Sequence, residues 1–163
     1  DHVDGRIAPT GFWILDDGDM QHGHYFDAGL CAALCDLWRQ VSTDPHVIDV
    51  GCGRGDYVRQ FLQAGLCALG IDGNPRTPDY CPSALVHDLA YPLQGVDPSM
   101  CVMCLEVAEH LPPQHETALV DNLLSLLAPE GVLVLSWAVP GQGGLGHFNE
   151  RENAYVVELM VGR

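Results

Sequence analysis

Three glycines spaced G-x-G-x-G, at Gly51, Gly53 and Gly55, follow an acid, Asp49, that stands two residues before the first of them. Glycine at such a strand-to-helix junction permits a tight turn, close approach of backbone to a ligand, and close helix–strand contact. A phosphate-binding fingerprint would read G-x-G-x-x-G and offer its helix N-terminus to an anion. Here the third glycine comes one residue early, and a carboxylate at Asp49 would repel phosphate. It suits an ammonium group instead, as on an amino-acid-like ligand. Asp72 comes 21 residues after Gly51, where a carboxylate can accept hydrogen bonds from both hydroxyls of a ribose. In a second reading it is a strand-ending acid in a turn with Gly73 and Asn74. Glu106, Glu109 and His110 are spaced E-x-x-E-H, and His147 follows four glycines in six residues. An imidazole titrates near neutrality and can take a proton from a nucleophile. The glycines let that loop pass close to a ligand or move.

These residues need a scaffold, and the hydrophobic pattern supplies one. Val47 to Val50 reads as a strand entering the glycine turn, followed by a helix with Val58, Phe61 and Leu62 on one side, ending near Gly65. Cys67 to Ile71 is a second strand that closes on Asp72. Pro75, Pro78 and Pro82 leave room for a minimal helix only. Ala84 to Val86 is a third strand ending at His87-Asp88. Met100 to Leu105 is a fourth, apolar on both faces as in a covered parallel sheet. Pro112-Pro113 opens a helix that places Leu119, Val120, Leu123, Leu124 and Leu127 together and halts at Pro129-Glu130-Gly131. Val132 to Trp137 is the fifth strand. Upstream, Asp27 can cap a helix with Leu30, Leu34, Leu37, Trp38 and Val41 on its apolar face. His24, Tyr25 and Phe26 lead into it. A last helix is expected near Asn149, with Asn149 and Glu152 as a capping box. Strands alternating with helices imply a parallel sheet covered on both faces, with ligands at the carboxyl ends of its strands.

Composition narrows the chemistry. The 163 residues fit one domain: an N-terminal cap segment and helix (1–45), a core (46–137), and a loop with a C-terminal helix (138–163). The formal net charge is −15, and the seven basic residues are all arginine. With no basic stripe to follow a phosphate backbone, a nucleic-acid partner is excluded. Seven cysteines form no disulfide framework and read as free thiols in a reducing, cytoplasmic setting. Cys31 and Cys35 share a helical face, whereas Cys101 and Cys104 point to opposite faces of a strand. No long apolar run could span a bilayer, so no membrane association is expected. The start at Asp1, without methionine, reads as a processed or excised domain.

The stretch Val47-Ile48-Asp49-Val50-Gly51-Cys52-Gly53-Arg54-Gly55 resembles motif I of the class I S-adenosylmethionine (SAM) dependent methyltransferases, and the segment through Trp137 continues the resemblance. It implies a Rossmann-like α/β fold, SAM as cofactor and S-adenosylhomocysteine (SAH) as product. It further implies that Asp49, Gly51, Cys52, Gly53, Asp72, Gly73 and Asn74 bind the cofactor. Asp88 is similar to the acid that accepts the exocyclic amine of adenine in this family, with the Leu89 N–H meeting a ring nitrogen. Glu106 would lie beside the methionine portion. The E-x-x-E-H-x-P pattern is similar to small-molecule O- and N-methyltransferases, so a small-molecule acceptor is implied. Glu109, His110 and His147 are then the candidate catalytic residues. No metal is expected; the alternative is a divalent ion held by Glu106, Glu109 and His110, as such a set does in some relatives. In another reading, Glu109 and His110 only brace the next helix.

The chain departs from the family at its end. Only 26 residues follow Trp137, so the usual sixth and seventh strands are missing. The chain is then shortened, a minimal variant, or completed by a partner such as a second copy in a homodimer. Two rival functions follow: a non-catalytic SAM-binding subunit, and an NAD(P)-dependent oxidoreductase, which the glycine spacing and Asp49 disfavour.

Overall fold

Side chains of the central strands alternate between two cores, which shows how the chain builds two layers around one sheet. The computed structural model describes residues 6–14 and 25–162. In strand β1 (His46–Val50), Val47 packs into one core and Ile48 and Val50 into the other. In β4 (Ser99–Cys104), Cys101 and Met103 face the first core while Val102 and Cys104 face the second. Successive side chains of a strand point to opposite faces, so an apolar run in both registers requires cover on both sides.

That cover is helical. On one face lie α1 (Ala28–Val41), with Leu34 and Trp38, and α2 (Asp56–Gln63), with Phe61. Asp27 caps α1, its Oδ1 accepting a hydrogen bond from the Leu30 N–H at 2.9 Å. On the other face α4 (Glu116–Leu126) buries Leu119, Leu123 and Leu126. The remaining elements are β2 (Cys67–Asp72), the one-turn α3 (Thr77–Tyr80), β3 (Ala84–Val86), β5 (Leu127–Leu135) and α5 (Asn153–Val161). The sheet order is β3-β2-β1-β4-β5 and every pairing is parallel. Strand order reverses between β1 and β4, the position at which ligands enter such sheets.

The expected Rossmann-like α/β fold is therefore present, with five strands among the described residues. Several boundaries differ. Strand β5 begins at Leu127 rather than Val132, running through an irregular stretch in which Glu130 has φ 63°. It ends at Leu135, short of Trp137. Pro113–His115 forms a 3₁₀ turn before α4 starts at Glu116, and α4 ends at Leu126. On α1, Cys31 and Cys35 are buried while Leu30 is half exposed; Leu62 on α2 is exposed too. The seven thiols are free, and Cys101 and Cys104 do face opposite cores. Among the described residues no helix is long and apolar enough to cross a membrane.

Candidate active site

The sheet lines up its functional ends. From β3 to β5, the strands terminate beside Asp88, at Asp72, at the glycine turn, beside Glu106, and beside Ser136. With neighbouring strands about 4.8 Å apart, this row spans on the order of 19 Å.

At its centre the glycine turn is held by backbone geometry. Gly51 and Gly53 have φ of 79° and 55°, the left-handed region that side chains resist. A Cβ on Gly51 would also overlap the Val107 side chain. The N–H groups of Gly51 and Cys52 donate to the Ile71 carbonyl at 2.7 and 3.1 Å, tying the turn to β2. Asp72 completes the tie: Oδ2 accepts from the Gly53 N–H at 2.7 Å and Oδ1 from the Asn74 N–H at 2.8 Å. The Thr77 hydroxyl donates to the Gly53 carbonyl at 2.9 Å. Burial raises the Asp72 pKa, and the two N–H bonds oppose that rise. Asp49 is 4% exposed, and burial, reinforced by the neighbouring Asp72 charge, pushes its carboxyl up to about 7. Two acids that raise each other's charge cost in one cleft favour a cationic partner.

At the β3 end, Asp88 Oδ2 accepts from the Thr10 hydroxyl at 2.8 Å and Oδ1 from the Ala90 N–H at 3.0 Å. Thr10 belongs to a short hairpin closed by the Ile7–Trp13 bridge, whose Phe12 ring lies over Gly73. Tyr25 is 81% exposed at the rim, while Phe26 packs against Tyr57 with ring centroids 4.9 Å apart. His24 lies outside the described residues.

At the β4 and β5 end, Glu106 has φ 57°, a strained conformation for a residue with a side chain. Its N–H donates to Ser136 Oγ at 2.7 Å, and that hydroxyl donates back to Glu106 Oε1 at 2.8 Å. Glu109 is wholly buried with neither carboxylate oxygen hydrogen-bonded, and burial raises its pKa. His110 Nδ1 lies 3.0 Å from the Gly146 carbonyl, and His147 Nδ1 lies 3.2 Å from Glu150 Oε1. One donor atom from each of Glu109, His110 and His147 lies within 4.8 Å of the other two. Glu106 is not in that group, so the cluster among the described residues differs from the Glu106, Glu109, His110 set given above as the alternative to no metal.

Asn149 corrects another expectation. It is no helix cap: α5 starts at Asn153 with Glu152 before it. Instead Asn149 is buried, its N–H donating to the Glu109 carbonyl at 3.0 Å and its side-chain amide to Glu116 Oε2 at 3.1 Å. A capping pattern read along the chain lost to long-range partners.

These groups surround one cavity of about 940 Å³, room for a nucleoside-sized cofactor and a small second molecule. It is lined by all ten expected cofactor residues and by His110 and His147; Glu109 is buried off the lining. Thr10, Phe12 and Trp13 also line it, and nothing in their local pattern marks them. Ser136 was hidden by the strand boundary: read as running to Trp137, the fifth strand ends at Leu135 and leaves Ser136 just beyond it.

The family profile described as a methyltransferase domain matches residues 20–142. An uncharacterized methyltransferase of Mycobacterium leprae is 30% identical over 140 residues, covering 74% of this chain and 51% of its own. The chain thus spans about half the length of the curated relatives it matches. Among solved structures, the TehB-like SAM-dependent methyltransferase of Corynebacterium glutamicum aligns with TM-score 0.66 at 19% identity, over 89% of this chain and 77% of that one. The 1,6-didemethyltoxoflavin-N1-methyltransferase of Burkholderia thailandensis, solved with 1,6-didemethyltoxoflavin and SAH bound, aligns with TM-score 0.57 at 19% identity, over 83% and 67%.

Proposed function

This chain belongs to the methyltransferase family, and we propose that it transfers the methyl group of SAM to a small-molecule acceptor. The observation that carries this reading is the pairing of a left-handed glycine turn with Asp49 and Asp72 in one cleft. Asp72 retains lone pairs for the ribose hydroxyls beyond those given to Gly53 and Asn74, and Gly73 and Asn74 complete that rim. Asp88 and the Leu89 N–H receive the adenine. Asp49 and Glu106, with the turn from Gly51 through Cys52 to Gly53, receive the methionine portion, whose ammonium neutralises the buried Asp49.

Methyl transfer is an in-line displacement at a sulfonium, so the cofactor supplies the reactive group and the protein supplies alignment. The bond from the acceptor atom to the methyl carbon forms as the carbon–sulfur bond breaks, and its electron pair stays on sulfur to give SAH. The acceptor's proton leaves toward Glu109, His110 and His147. The Gly146 carbonyl can only accept a hydrogen bond, so His110 carries its proton on Nδ1. The Glu150 carboxylate does the same for His147. Each ring therefore keeps an Nε2 lone pair. A concave cleft and an acidic surface favour a small acceptor over nucleic acid. The 1,6-didemethyltoxoflavin-N1-methyltransferase, which shares the fold, was solved with the small molecule 1,6-didemethyltoxoflavin bound beside SAH.

Calorimetry with SAH and NADH, followed by labelled SAM with a metabolite extract, tests the proposal. SAH binding and label transfer to a low-molecular-weight product are expected. NADH binding without SAH binding would overturn the reading. Binding without transfer to any acceptor would leave a cofactor-binding subunit.

A further inference from the structure

We propose that Glu109, His110 and His147 are the ligands of a divalent first-row transition-metal ion at the acceptor end of the cavity. This deepens the methyl-transfer reading and rests on it for the ion's role, though not for its binding. The first observation is a buried carboxylate with nothing to do. Glu109 is fully buried and neither of its oxygens has a hydrogen-bond partner, while its backbone carbonyl accepts from the N–H groups of Phe148 and Asn149 at 2.8 and 3.0 Å. An unpaired carboxylate in such a place is costly. Those two bonds also staple the His147 loop against Glu109.

The second observation is that both imidazoles are already set as ligands. Their Nδ1 atoms are committed to Gly146 and Glu150, and the rings stand nearly perpendicular, at 85° with centroids 5.0 Å apart. Metal-binding histidines characteristically donate their other N–H to a carbonyl or carboxylate, which fixes tautomer and orientation. Here one ring has each kind of partner. Glu150 is itself anchored by the N–H groups of Gly141 and Gly143 at 2.8 and 2.7 Å. A Cβ on Gly144 would strike the His147 ring, so the glycine loop is shaped around this imidazole.

The third is convergence: one donor atom from each residue lies within 4.8 Å of the others. Ligands sharing one ion at about 2.1 Å sit about 3.0–3.5 Å apart, a contraction within reach of side-chain rotation. Two imidazoles with one carboxylate suit manganese, iron, cobalt or zinc better than magnesium or calcium. With the ion bound, the two imidazole lone pairs coordinate it instead of taking the acceptor's proton, and the ion's positive charge favours loss of that proton to water.

The test uses the whole chain after chelator treatment. Mn²⁺ and Co²⁺ are titrated in by calorimetry, and Co²⁺ also by visible absorption. One ion per chain is expected, with affinity falling at least about tenfold in each of Glu109→Gln, His110→Ala and His147→Ala. His46→Ala, at the exposed start of β1, should bind as the wild type does. Circular dichroism and SAH binding confirm that each variant is folded. Absence of one-to-one binding, or equal affinity in His147→Ala and wild type, overturns the proposal. So does a thiolate-to-cobalt absorption band, which would place the ion on cysteine. Each of these outcomes leaves SAH binding and methyl transfer as separate measurements, so the site can fail while the methyltransferase reading stands.

Discussion

Asp72 has a double duty that a single substitution can separate. Its carboxylate holds the Gly53 and Asn74 N–H groups and lines the cavity where a ribose would sit. Asp72→Ala should weaken SAH binding by about 1–3 kcal/mol, the cost of lost hydrogen bonds in a buried site. Calorimetry showing unchanged affinity would remove Asp72 from the cofactor site. Asp49 makes a different prediction, about pH. Its folded-state carboxyl titrates at about 7, far above the ordinary value of 3.8, because of burial and then the Asp72 charge. With the folded pKa raised, the stability this group contributes is greatest below about 4 and is lost as pH rises through 7. Cofactor binding runs the opposite way, since an ammonium prefers the carboxylate. SAH affinity should rise with pH, by at most about tenfold per unit, and level off above 7. Asp72, Tyr57 and the thiols of Cys52 and Cys104 surround this carboxyl, so Asp49→Asn is the control. A slope that survives in Asp49→Asn assigns the linkage to another group. Both acids were legible in the sequence because each sits at a strand end, where position alone implies exposure to ligand. The ties of Asp88 to Thr10 and of His147 to Glu150 were not, since neither a hairpin's landing place nor a loop's hydrogen bonds follow from periodicity.

The β1-to-α2 and β2 elements were legible from glycine spacing and apolar runs, whereas the C-terminal elements were not. The reason lies in Glu116. It is 8% exposed and gathers the Asn149 amide at 3.1 Å, Arg151 Nε at 2.8 Å and the Tyr155 hydroxyl at 2.5 Å, pinning the segment before and into α5 onto α4. Burial alone would raise its pKa, but the hydrogen bonds from Tyr155, Arg151 and Asn149 outweigh burial and hold it below the usual carboxylate range. Such a hub lies more than thirty residues away along the chain from its partners, so a local capping pattern at Asn149 could not anticipate it. Glu116→Ala should cost roughly 2 kcal/mol, counted as lost charged hydrogen bonds with partial rescue by water. That corresponds to a fall in Tm of roughly 4–8 °C. SAH affinity should stay near wild type, because β1 and β2 are untouched, while turnover falls as the His147 loop loosens. An unchanged Tm would show that Glu116 does not anchor this end of the fold.

At the scale of the whole molecule, the net charge of −15 sets the field in which every ligand arrives. Part of that charge gathers at the cavity, lined by Asp49, Asp56, Asp72, Asp88 and Glu106. This much was legible from composition; what composition could not tell is that the acids converge on one cleft, which needs the parallel sheet to bring five strand ends together. Like charges held in a compact state repel, and salt screens them, the Debye length falling from about 10 Å at 0.1 M to about 3 Å at 1 M. SAM carries a sulfonium charge that SAH lacks, so the field acts on the two ligands unequally. Raising salt from about 0.02 to about 0.5 M should therefore weaken SAM binding more than SAH binding. The ratio of the two affinities should fall steadily across the series. The same field should draw a cationic acceptor, so kcat/KM for an amine should drop with salt while that for a neutral phenol stays level. A SAM-to-SAH affinity ratio that does not move with salt would mean the surface charge does not reach the site, leaving only the acids in direct contact to select the cation.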